Sequence, residues 1–217
     1  MTTTVSSVAQ LGVEPPYWVQ ACRHLSSKDR VMKKLILTHP KMTLQSRGDA
    51  FTTLARSIVG QQISVKAAQS VWLRLVSQVD RMAPASILDL TVEKLRSAGL
   101  SARKAEYLHA LATEFHRDRM GEREWASASD DEIVQKLVAV RGVGRWTAEM
   151  FLIFHLQRPN VLPLDDVGLI NGISHAYYSG EPVSRSDVRE LAQAWAPFST
   201  VATWYIWRSL EAAPVMH

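Results

Sequence analysis

The chain is 217 residues long, 47% hydrophobic and 21% charged, proportions that exclude a disordered, collagen-like or low-complexity protein. Its single cysteine, Cys22, excludes an internal disulfide, a four-cysteine zinc site and a cysteine-ligated iron–sulfur cluster, and fits a reducing compartment. The net charge of +4 conceals an asymmetry, because residues 1–75 hold 10 Lys/Arg against 3 Asp/Glu; a basic front third followed by a slightly acidic remainder points to a polyanionic partner. Residues 1–13, MTTTVSSVAQLGV, lack the basic start and apolar core of a leader, and MFLIFHL at 150–156 is too short to cross a bilayer. A cytoplasmic protein, nucleoid-associated in a bacterium, with no membrane partner is expected.

Helical periodicity recurs along the chain, and alternating strand patterns between hairpin turns do not, so the class reads as all-α. Asp49 caps a predicted helix with Phe51, Leu54, Ala55, Ile58 and Val59 on one face, ending at Gly60. Ser64 opens a second with Ala68, Val71, Trp72, Leu75 and Val76, which leaves the polar link GQQI, 60–63, held at both ends. Pro84 suits the first turn of a short helix, Thr91 caps one that stops at Gly99, and Ser101 starts one running through Tyr107, Leu108, Leu111 and Phe115. Ser129 and Glu132 form a capping box opening a helix to about Val140. The break RGVG, 141–144, is followed by a helix over 145–157, and Pro159 and Pro163 then mark a domain crossing. Beyond it, helices are predicted over 166–177, from Ser184 to about Trp195, and from Pro197 to about Ala212.

Three segments carry chemistry. In LVAVRGVGRWTAEM, 137–150, Gly142 and Gly144 separate two helices, and the second helix begins with unbonded amides at its positive end, an arrangement suited to a phosphate. Arg145 and Thr147 add a cation and a hydroxyl there. In LPLDDVGLIN, 162–171, Asp165 and Asp166 open a helix; one of them can serve as a simple cap, and a carboxylate in that place suits the stabilisation of developing positive charge. Spacing alone leaves open which aspartate does so. Three of the 7 tryptophans fall in WAPFSTVATWYIW, 195–207, where helical spacing ordinarily means core; Trp204, Trp207 and Trp146 could also frame an aromatic slot. The 7 histidines do not gather at metal-ligand spacing.

Together these segments resemble the helix-hairpin-helix DNA glycosylases, and among them the 3-methyladenine DNA glycosylase II branch, over roughly residues 45–212. GVGRWTAEM resembles the hairpin and its second helix, LPLDDVGLI the segment with the catalytic aspartate, SIVGQQIS the loop that enters DNA, and WAPFSTVATWYIW the last helix. The resemblance implies two helical lobes, 50–158 and 1–49 plus 159–217, with the active-site cleft between them. It implies Asp166 as the catalytic carboxylate; Trp146, Met150 and Trp207 as base-pocket residues; Gly142, Gly144, Arg145 and Thr147 as phosphate contacts; and Gln62 as the wedge filling the gap left by a flipped base. Many relatives carry proline at Arg141, the family's best-known member has tyrosine at Met150, and some relatives have leucine at Gln62. Lyase relatives place their Schiff-base lysine where this chain has Trp146, which favours a monofunctional enzyme. The implied partner is duplex DNA containing damaged bases, bound by a monomer without cofactor or catalytic metal; a monovalent cation on the hairpin's main-chain carbonyls is implied by resemblance. The rival from another class is a non-catalytic helix-hairpin-helix protein that binds distorted DNA, a reading that leaves Asp166 and the aromatic residues without a task.

Overall fold

The computed structural model describes residues 14–40, 42–46, 48–117 and 122–210. Among them every regular element is helical: α1 Trp18–Lys28, α2 Arg30–Thr38, α3 Ala50–Gly60, α4 Val65–Val76, α5 Pro84–Leu88, α6 Val92–Ser97, α7 Ala102–His116, α8 Glu122–Ser127, α9 Asp130–Val138, α10 Arg145–Phe154, α11 Val167–Tyr177, α12 Arg185–Leu191, a 3-10 turn Ala192–Ala194, and α13 Ser199–Ser209. The chain separates into two compact units. Among the described residues, one holds 46–156 and the other combines 14–45 with 157–210.

Short polar side chains start most of the helices. Asp49, Ser64, Thr91, Ser101, Ser129, Asp166 and Ser184 each accept a hydrogen bond from an N–H in the first turn of the helix that follows, which satisfies a donor the helix cannot reach. Ser129 with Glu132 completes the expected capping box. Helix ends differ from expectation by a few residues. α9 stops at Val138, α10 at Phe154 and α12 at Leu191, while α13 begins at Ser199 because Pro197 and Phe198 belong to the preceding turn. Residues 1–13 and the expected last-helix end at Ala212 lie outside the described residues. α1, α2 and α8 are not among the helices predicted from periodicity. α1 has no side-chain cap and α8 has six residues, which weakens their signals, whereas α2 is capped by Asp29 and carries its apolar residues on one face.

The first unit is built around α3, which packs against α4, α7 and α10. Eight of its eleven residues are buried, as are eight of the ten in α10; a helix apolar on nearly every side belongs in a core. Leu54, Ile58, Leu75, Leu95, Leu108 and Phe151 fill that core without exposure. The last helix in sequence, α13, is central to the second unit, packing against α1, α2 and α11. Its Trp204 lies edge-on to Trp18 at 5.3 Å between ring centroids.

A single carboxylate ties the second unit's terminal parts together. Asp29 Oδ1 accepts from the Val31 and Met32 amides, capping α2, while Oδ2 accepts from the Tyr177 hydroxyl at 2.6 Å and the Trp195 indole at 3.0 Å. Burial, reinforced by the hydrogen bond and charge of Asp29, pushes the Tyr177 phenol above its ordinary range. Asp29→Ala is therefore expected to cost roughly 3 kcal/mol, from a lost cap and two stranded donors. Urea unfolding followed by circular dichroism measures it, and a loss below about 1 kcal/mol would contradict the assignment.

Candidate active site and phosphate contact

In the second unit, the segment leading out of the crossing is fastened before it reaches the aspartates. The Thr200 hydroxyl donates to the Arg158 carbonyl at 2.6 Å and accepts from the Val161 amide at 2.9 Å, while Asn160 Oδ1 accepts from the Ser199 hydroxyl at 2.8 Å. Pro163 O then accepts from the Asp166 amide at 2.9 Å, closing the turn that delivers residue 166 to the start of α11.

The two adjacent carboxylates have different surroundings. Asp165 is exposed and pairs with Arg185 at 2.6 Å, a surface ion pair of small energetic consequence. Asp166 is partly buried as the N-cap of α11, and its Oδ1 accepts from the Leu169 amide at 2.7 Å and from the Trp207 indole at 2.8 Å. The indole reaches it because α11 and α13 pack closely. A Cβ on Gly172 would stand 2.3 Å from Ile206 Cγ2, and one on Gly168 would stand 3.0 Å from Asp166 Oδ1 and 3.2 Å from Trp207 Cδ1. Trp207 thus orients the carboxylate, in addition to the pocket role expected for it. Trp204 belongs to the core, 5% exposed.

In the first unit, the turn between α9 and α10 gives its two glycines different tasks. Gly142 has φ +92°, and a Cβ there would fall 2.1 Å from Tyr107 Cγ, so this position needs glycine for the fold itself. Gly144 has an ordinary extended backbone, and a Cβ there would meet nothing within 4 Å. It also caps α10 without a side-chain hydrogen bond. The first helical bond of α10 runs from the Ala148 amide to the Gly144 carbonyl at 3.0 Å, so the amides that precede it, those of Arg145 and Thr147 among them, lie at the helix's positive end ahead of the intrahelical ladder.

Arg145 donates to the buried Glu149 at 3.1 Å while its side chain stays 63% exposed, so the guanidinium is oriented yet accessible. Arg141 is paired with Glu106 at 2.6 Å. The Thr147 side chain corrects the expectation of a hydroxyl facing phosphate: it is 1% exposed, and its Oγ1 accepts from Gln61 Nε2 at 3.0 Å. Only the main-chain amide of Thr147 remains for an anion. Trp146 is partly buried in the first turn of α10, and Met150, one turn later, is 3% exposed.

Gln62 is exposed in the link between α3 and α4, with φ +56°, a conformation that costs a non-glycine residue about 1–2 kcal/mol. Ile63 beside it is 41% exposed. Sequence reasoning singled out Gln62 and passed over Gln61, whose partners are 81 and 86 positions away. Among the described residues, no group of three or more His, Cys, Asp or Glu is placed to hold a metal ion, and no helix is long and apolar enough to cross a membrane.

A family model described as "HhH-GPD superfamily base excision DNA repair protein" matches residues 55–198. DNA-3-methyladenine glycosylase 1 of Schizosaccharomyces pombe is 31% identical over 198 residues, a match covering 88% of this chain and 86% of that one. The structure of the S. pombe 3-methyladenine DNA glycosylase in complex with abasic DNA superposes with a TM-score of 0.81 at 30% identity, covering 91% of this chain and all of that one. A DNA-3-methyladenine glycosidase structure from Bacillus halodurans gives a TM-score of 0.73 at 33% identity, covering 87% and 88% of the two chains. With its hairpin, its capped aspartate and an all-helical architecture matching along most of its length, the chain belongs to the HhH-GPD superfamily of base excision DNA repair proteins.

Proposed function

We propose that this chain is a monofunctional DNA glycosylase that excises alkylated bases, 3-methyladenine among them, from damaged duplex DNA and acts as a monomer. The observation that carries the reading is the Asp166 carboxylate, fixed by the Leu169 amide and the Trp207 indole at the head of α11. The names and the abasic-DNA complex of its S. pombe relatives support it.

A base in duplex DNA has its glycosidic bond inside the stack, so the nucleotide must be turned out and the gap filled. Gln62, exposed at the tip of its link, is the wedge in this reading. The amides that open α10, at Arg145 and Thr147, hold a backbone phosphate together with the Arg145 guanidinium; Gly144, bare toward solvent, lets that phosphate approach closely. As the C1′–N bond breaks, its electron pair leaves with the base and the sugar becomes oxocarbenium-like. Asp166 stabilises that cation, water bonds to C1′, and the water's proton passes to Asp166 or to solvent. A base alkylated on a ring nitrogen is cationic and departs neutral, so it needs no strong general acid. Trp207, whose indole already holds the Asp166 carboxylate, favours such a base by stacking and cation–π attraction.

Two hairpin carbonyls support the expected monovalent cation. The carbonyls of Val140 and Gly142 each accept one N–H bond, from the Val143 amide at 3.0 Å and Gln61 Nε2 at 2.9 Å, and each keeps a second lone pair. Bound there, the ion would add positive charge beside the phosphate contact.

Incubation with a methylated duplex should release free 3-methyladenine and leave an intact abasic strand that is cut only by hot alkali. Borohydride should trap no covalent adduct, since position 146 holds tryptophan in place of an amine. Failure to release any base would favour the non-catalytic reading, and an adduct in good yield would overturn the monofunctional one.

The space around Gly144 makes a clean test of the phosphate contact. Gly144→Val should cost no more than about 1 kcal/mol of folding stability, the cost of a poorer helix cap, and weaken binding to damaged and undamaged duplexes alike, by about tenfold for the loss of one close phosphate contact. Fluorescence anisotropy over a salt series measures it; unchanged affinity would remove the phosphate role.

A further inference from the structure

The proposed wedge and the proposed phosphate contact lie on different loops, and three groups in the first unit join them. α3 ends at Gly60 with its last carbonyls beyond the reach of its own amides. Lys104, from the first turn of α7, donates its ammonium to the Val59 carbonyl at 2.8 Å and the Gln61 carbonyl at 2.7 Å, a cation at a helix C-terminus. Burial pushes this ammonium below the ordinary lysine range, as expected of a charge drawn partly out of water toward two carbonyls.

The Gln61 side chain then crosses to the other loop. Its Nε2 donates to the Gly142 carbonyl at 2.9 Å and to Thr147 Oγ1 at 3.0 Å, which engages both of its N–H groups. Tyr107, one turn after Lys104 on α7, lies directly under Gly142. One face of α7 therefore supports both loops, through Lys104 on the Gln62 side and Tyr107 on the hairpin side. Between these supports Gln62 is held at φ +56°, while its own side chain makes no hydrogen bond among the described residues.

We propose that Gln61 and Lys104 are positioning residues that lock the Gln62 loop to the hairpin, so that gripping the phosphate and inserting the wedge become one event. The proposal rests on the reading of Gln62 as wedge and of the α10 start as phosphate contact. A wedge must push against stacked bases, and a loose loop would yield; fastened to the hairpin, it transmits the phosphate-binding energy to the stack. Neither residue touches the base or the bond that breaks. Their effect should therefore depend on whether the substrate is stacked.

Gln61→Ala and Lys104→Met should each slow single-turnover release of 3-methyladenine from duplex DNA by about tenfold or more, the factor expected when about 1.4 kcal/mol of transition-state stabilisation is lost. Affinity for undamaged duplex should stay within about threefold, since the α10 amides remain. The same variants should release the base from an unpaired bulge or a single strand at close to the wild-type rate, because unstacking is already complete there. 2-Aminopurine beside the lesion should brighten less than with wild type. If Gln61→Ala does not fold, Lys104→Met carries the test, being a half-buried surface position.

Equal losses on stacked and unpaired substrates would show a general structural role and overturn the proposal, as would undiminished rates on duplex. If wild type releases no base from any substrate, the glycosylase reading itself fails, an outcome separate from either of these.

Discussion

The first turn of every α-helix carries N–H groups that the helix's own carbonyls cannot reach, and this chain uses that constraint in two opposite ways. At α11 the amides are met from within, by the carboxylate of Asp166, whose same oxygen also accepts the Trp207 indole. At α10 the cap itself offers nothing: Gly144 makes no side-chain hydrogen bond, and the space beside it is open. The first arrangement fixes an anion that belongs to the protein. The second leaves donors for an anion that does not. Among the described residues Asp29, Asp49, Ser64, Thr91, Ser101, Ser129 and Ser184 cap their helices in the ordinary polar pattern, and α1, α5 and α13 also lack a side-chain cap, so the exposed start of α10 stands out by the company it keeps: a positive-φ glycine, an oriented arginine and a buried threonine hydroxyl.

Close packing makes both arrangements specific. α11 meets α13 at Gly172 with no room for a Cβ, and Gly168 one turn earlier leaves the gap through which the indole and the carboxylate meet. Gly142 sits on Tyr107 in the same way. Larger side chains at either place would force helices apart by ångströms, and interiors do not absorb such changes without cost. Trp207 has two consequences from one position, since its ring is the aromatic expected near the base while its N–H holds the Asp166 carboxylate in place.

Much of this was legible in the sequence because the signals are local. Asp49, Ser64, Thr91, Ser101, Ser129 and Ser184 announce helix starts within four residues of themselves, and the GVG break is a contiguous string. The choice between Asp165 and Asp166 was not legible from spacing. It came from family resemblance, and the structure adds the physical difference: Asp165 faces solvent beside Arg185, whereas Asp166 is held by an amide and an indole. The Asp166–Trp207 bond spans 41 positions and the Gln61–Thr147 bond spans 86; no periodicity encodes contacts at such separations. For the same reason Thr147 was misread. Its place in the first turn suggested a hydroxyl facing outward, but a partner on a distant loop turns it inward. α1 lacks a polar cap, which weakens its signal, whereas α2 has both a cap in Asp29 and a one-sided apolar face that periodicity could have found.

The central claim is that the charge of Asp166, held in one orientation, stabilises the sugar cation. Single-turnover release of 3-methyladenine by Asp166→Asn tests it most directly, with duplex affinity measured alongside and Asp165→Asn as the matched control. The substitution keeps the size of the side chain and an oxygen able to cap α11, and it removes the charge. Release should fall by about a hundredfold to a thousandfold, affinity should hold within about threefold, and Asp165→Asn should stay close to wild type. Retention of activity within about tenfold in Asp166→Asn, or equal losses in the two variants, would contradict the account.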